Sequence, residues 1–234
     1  MSRLSIKLGV WSAVLCTSTF VIFTLCFFAI LAINPLFIWT NFEDWVSYNS
    51  VHNQAFKYVA QIMMLFFVIL FVILLNSIHD YAQDDKRILA RISLSFAIIF
   101  AALTGMHYVV QISIVRLNLA HGQLQGLEQF IQGNPTSALA GINMLGWTVF
   151  FGLSSLFIAP VFSGGRLERL IRYSFLANGI IVLLGGFGYV FDITILVFVL
   201  MILGMGASVT LFTMALAVLF RRLTKADDQM VDPV

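Results

Sequence analysis

Six long apolar stretches, separated by short polar ones, organise the chain: 8–33, 58–78, 92–115, 138–162, 173–190 and 193–220. None of them contains Asp, Glu, Lys or Arg. About 20 apolar residues in a helix, rising 1.5 Å each, cross the roughly 30 Å hydrocarbon core of a bilayer. Inside lipid the backbone must satisfy its own hydrogen bonds, so each stretch is expected to be a helix. A transmembrane barrel would instead show shorter, alternating segments. The pattern therefore predicts an all-α fold, a polytopic bundle of six spans filling residues 1–222, followed by a polar tail over 223–234. The tail is expected to be disordered and cytoplasmic. The first stretch begins after Arg3 and Lys7 and resembles a signal peptide. It is too long for a cleavable apolar region of about 7–15 residues, and reads as an uncleaved span.

The polar segments set the orientation. With the N-terminus inside, the inner side holds Arg3, Lys7, Lys86, Arg87, Arg91, Arg166, Arg169, Arg172, Arg221, Arg222 and Lys225. Of the 13 basic residues only Lys57 and Arg116 fall outside, both at span ends. Positive residues collect on the cytoplasmic side, so both termini are expected inside. Three outer loops follow. Residues 34–57 carry Trp39, Trp45 and Tyr48, aromatics suited to the interface between lipid and water. Residues 116–137 scatter Leu117, Leu124, Leu127, Phe130 and Ile131 among polar residues, a pattern expected of a short surface helix broken near Gly133-Asn134-Pro135. The third loop is a tight turn at Asp192 between spans five and six.

Composition agrees with this class: 60% of the 234 residues are apolar and 10% charged, against about half and a quarter in soluble domains. Cys16 and Cys26 lie ten residues apart on one predicted helix, too far to bridge each other. No nucleic-acid partner, metal site or cofactor is expected, and the number of copies in an assembly is left open. A haem would call for facing histidines, but His52, His79 and His121 lie at other depths than His107.

The chemistry that remains is polar and neutral. Thr104, His107 and Gln111 share one face of span three at helical spacing. Gln61 on span two and Asn143 on span four reach a similar outer depth, with Trp147 one turn beyond. Gln61, His107, Gln111, Asn143 and Trp147 are thus the candidate ligand-binding set, a small polar pocket open to the outside. Read as structure, the same side chains are hydrogen-bonding glue between helices. Asn178 and the small residues of spans five and six, including Gly179, Gly204 and Ser208, predict close packing of that pair. Pro160 marks a kink in span four or its end.

The run His107-Tyr108-Val109-Val110-Gln111, together with Gly146-Trp147, the stretch from Leu156 to Phe162, Leu167-Glu168-Arg169 and Asn178-Gly179, resembles a family of uncharacterised bacterial multi-pass membrane proteins of about six spans. The resemblance runs from span three to span five. It implies a bacterial cytoplasmic membrane and brings no assigned activity, substrate or cofactor. The outer loops carry no N-glycosylation acceptor, since Asn134-Pro135-Thr136 is excluded by its proline. Three functional expectations follow. The first is a membrane protein that binds or moves a small neutral or lipid-like molecule in an outer-leaflet pocket. The second is a structural or interaction subunit without ligand. The third and weakest is an intramembrane enzyme with His107 as base, which lacks a nucleophile or carboxylate partner.

Overall fold

The computed structural model describes residues 1–231, and among them no strand occurs. Seven helical segments account for the architecture: α1 (Arg3–Ile33), α2 (Phe42–Val51), α3 (Ala55–Tyr81), α4 (Asp84–Ala120), α5 (Ala138–Val161), α6 (Arg166–Val190) and α7 (Thr194–Asp227). All but α2 are long and apolar enough to cross a membrane. Their outward faces carry Trp11, Leu25, Phe66, Ile98, Phe187 and Met214, all at least half exposed. An apolar belt this extensive on a monomer suits lipid and not water.

The six long helices close into a ring. α1 packs on α3, α3 on α4, α4 on α5, α5 on α6 and α6 on α7, and α7 returns to α1. Six helices around one axis leave a wide centre, and phenylalanine fills it. Phe67 and Phe71 of α3, Phe100 of α4, Phe151 of α5, Phe175 of α6 and Phe212 of α7 are completely buried. Phe175 stacks on Phe212 with centroids 4.1 Å apart, and Phe71 meets Phe151 edge to face at 5.1 Å. Such pairs add to the burial of their large apolar area. The ring therefore has a solid aromatic centre over its middle.

Both chain ends lie at one end of this ring, where Arg3 pairs with Asp227 at 2.5 Å. The α3–α4 and α5–α6 turns share that end, joined by Lys86 donating to Ser163 at 2.6 Å. Pro160 sits in the 3₁₀ turn that finishes α5, so it marks an end and not a kink. Opposite lies the distal end, formed by the segment before α3, the loop between α4 and α5, and the tight turn at Asp192, whose φ is +55°.

Three sequence expectations change here. The first distal loop contains a real helix, α2, capped by the Asn41 side chain accepting from the Asp44 N–H. The second forms no surface helix, only a 3₁₀ turn over Leu127–Phe130. Its Leu127 and Ile131 are buried with Trp45 and Val115 in a second small core, so the loop folds over the bundle instead of lying on lipid. Third, the expected disordered tail is helical as far as Val231; its last three residues, 232–234, lie outside the described residues.

Candidate functional site

Polar side chains inside the ring fall into two groups. In the middle, each finds its partner. Asn178 of α6 donates to the Ser155 hydroxyl of α5 at 2.8 Å and accepts from Ser208 of α7 at 3.0 Å, tying three helices together. Ser93 of α4 donates to the Ser154 carbonyl of α5 at 2.7 Å. Thr17 of α1 donates to Thr213 of α7 at 2.8 Å. These are interhelical glue, and their donors and acceptors are matched.

The distal group differs. Gln61, His107, Gln111 and Asn143 all turn into the bundle and are buried, as is Thr104. Gln132, from the loop over the distal end, links them. Gln61 donates to its side-chain carbonyl at 2.7 Å. The Gln132 backbone N–H donates to Gln111 at 3.3 Å, while Gln111 donates in turn to the Phe130 carbonyl. The His107 imidazole places Nδ1 3.4 Å from the Leu139 carbonyl. A carbonyl only accepts, so Nδ1 carries the proton and Nε2 is left as an acceptor. No carboxylate or thiol bonds to the imidazole among the described residues.

Four buried polar atoms in this group have no hydrogen-bond partner: Gln61 Oε1, Thr104 Oγ1, His107 Nε2 and Asn143 Oδ1. Buried polar atoms are nearly always paired, because leaving one unpaired costs about 1–3 kcal/mol. Four such atoms at one end of a bundle whose middle is satisfied set the distal group apart from the interhelical glue.

Two cavities flank the Gln132-Gly133 strap. The first, about 420 Å³, lies between α1, α3 and the distal segments. Phe23, Phe27, Ile30 and Ile131 form its apolar walls, and Asn49, Lys57, Gln61, Gln111 and Gln132 its polar ones. The second, about 710 Å³, is bounded by Gln132, Gly133, Asn143, Tyr189, Asp192 and Thr194. The candidate residues are therefore divided: Gln61 and Gln111 border the first cavity, Asn143 the second, and His107 neither. Trp147 borders neither cavity. It lies nearly parallel to Phe67 with centroids 6.0 Å apart and edge-on to Phe100 at 4.8 Å, as part of the aromatic centre.

No protein-family model matches the chain, no curated protein is similar to it, and no solved structure resembles it. The likeness to bacterial multi-pass proteins gains no support from these comparisons, and a bacterial source is not established. What stands is a chain with six helices able to cross a membrane. Several residues that carried the likeness are packing residues: Trp147 fills the aromatic centre, Asn178 staples three helices, and Gly179 lies against Leu156 and the Gly152 carbonyl.

Sequence reading missed Gln132, which sits in a polar loop with no periodic pattern to single it out. It also missed Asn49 and Lys57 as site residues. The isolated position of Lys57, one of two basic residues away from those gathered at the end shared by the termini of the bundle, was the available signal.

Proposed function

We propose that this protein is a multi-pass membrane protein, termini in the cytoplasm, that binds a lipid-like amphiphile in the 420 Å³ cavity at its outer end. The observation that carries this reading is the cavity's lining, mostly apolar through Phe23, Phe27, Ile30 and Ile131 and set with the few polar side chains of Asn49, Lys57, Gln61, Gln111 and Gln132. Its volume lies in the range of about 300–1,000 Å³ usual for small-molecule sites, and such sites are mostly apolar with a few fixed polar groups. The orientation rests on the basic residues gathered at the end shared by the termini. The motif-level likeness described above is what supports a bacterial cytoplasmic membrane.

A lipid bearing a photoreactive diazirine in its acyl chain tests this reading in native membranes. Crosslinks are expected on Phe27, Ile30 and Ile131, and Ala60→Phe, which fills the cavity from its wall, should reduce them severalfold. Crosslinks confined to outward residues such as Phe66 and Ile98 would overturn the reading. That result would favour instead a structural subunit, for which the paired hydrogen bonds of the bundle middle are the supporting observation.

A further inference from the structure

Lys57 is the cation of the distal cavity, and its surroundings hold it without neutralising it. It stands in the first turn of α3, and its Nζ donates to Asn49 Oδ1 at 2.8 Å. Two aromatic faces flank it, Trp45 with its centroid at 5.5 Å and Tyr58 at 5.6 Å. No carboxylate pairs with it among the described residues. An ammonium has three donors, so two remain for a ligand. Cation–π contact orients such a group and leaves its full charge available. The nearby acid Asp44 is occupied locally, accepting from Thr40 at 2.7 Å and Asn41 at 2.8 Å.

The apolar side of the cavity leads somewhere definite. Phe23, Phe27 and Ile202 form part of its wall and also part of a groove of about 570 Å³ between α1 and α7. That groove is lined further by Met205, Gly206 and Thr210. Along it Phe28, Leu203 and Met214 are each more than half exposed on the lipid-facing surface. A mostly apolar cavity edged by Lys57 and amides thus shares a wall with an apolar trough on the outward face of the bundle.

Building on the amphiphile reading, we infer that the ligand carries an anionic oxygen headgroup, a carboxylate or a phosphate, bound by Lys57. Its acyl chain lies in the α1–α7 groove. The Gln61 and Gln132 amides complete the headgroup site.

Native mass spectrometry of the full chain released from detergent tests this, with three probes offered at equal concentration: palmitate, phosphatidylglycerol and diacylglycerol. Wild type is expected to retain phosphatidylglycerol at least tenfold better than diacylglycerol. Lys57→Gln should abolish that preference and Lys57→Arg should keep most of it. Retention of palmitate at the level of phosphatidylglycerol would assign the site to any acyl anion; weaker retention would assign it to the phosphate. Equal retention of all three by wild type would overturn the anionic headgroup while leaving the amphiphile cavity standing. Retention of none would overturn both. The comparison among probes needs wild type alone, so it decides the matter even if Lys57→Gln fails to fold.

Discussion

At the scale of single residues, the bundle distinguishes polar groups bonded through both ends of the side-chain amide from polar groups that keep one buried atom unbonded. Asn178 belongs to the first kind and Gln61 to the second. Their residue types are alike and both are buried, so only the bonding pattern separates them. Small residues act at the same scale. A Cβ added at Gly179 would meet the Gly152 carbonyl oxygen at 2.9 Å, an atom of backbone that cannot step aside. Gly179→Ala should therefore lower stability by about 1–3 kcal/mol, the usual cost of overpacking. Thermal unfolding in detergent should show the loss, while Gly165→Ala, where nothing lies within 4 Å, should leave the midpoint unchanged. Equal midpoints for both variants would mean that α5 and α6 do not approach as closely as described. Close packing of spans five and six was legible from their small residues, and Gly204 of α7 does rest on Ile181 of α6, whereas Gly179 turns instead to α5.

At the scale of elements, the segment between α4 and α5 folds over the distal end and is held there by side chains of three helices, Tyr189 of α6 donating to its Pro135 carbonyl at 2.9 Å. Its buried Leu127 and Ile131 seat it, and Gln132 ties it to α3 and α4 through Gln61 and Gln111. Its composition alternates apolar and polar without helical or strand period, so sequence pattern could not place it. Only the second core with Trp45 and Val115 explains where its leucine and isoleucine go. Gln132→Leu removes the acceptor for Gln61 while leaving the six spans intact. Hydrogen exchange should then rise by an order of magnitude or more at amides of residues 127–134, with the spans as protected as before. Unchanged exchange in this segment would show that apolar contacts alone seat it. The same variant should weaken acyl-chain crosslinking, because the strap forms a wall of the cavity.

At the scale of the whole molecule, an aromatic-filled ring places every chain reversal at one of two ends. Charge then distinguishes the ends, since 11 of the 13 basic residues lie with the termini when Lys57 and Arg116 are set apart. Impermeant maleimide applied to intact cells should label Gln125→Cys and Asp192→Cys, both exposed positions at the distal end, and spare the exposed Gln83→Cys. The native Cys16 and Cys26 are buried and supply little background. Labelling at Gln83→Cys under those conditions would reverse the proposed orientation. Asn49, whose place in the first distal loop suggests an accessible site, is buried against Trp45 and Lys57 and would be a poor probe.

Span number and approximate span limits followed from the sequence alone, because a bilayer demands a length of apolar helix that can be counted residue by residue. The candidate residues His107, Gln61, Gln111 and Asn143 were also legible, as the few amides and the one imidazole in apolar runs that would otherwise face lipid at a cost. Tertiary structure alone decided which of them share a cavity. That depends on how six helices rotate about their axes as they close into a ring, and a helical period gives relative faces within one span but no rotation between spans. It also decided that Trp147 fills the centre, that Gln132 links three segments, and that Lys57 lines the distal cavity bonded to Asn49. Each of these relations joins residues far apart in the chain, and packing, not local pattern, brings them within reach.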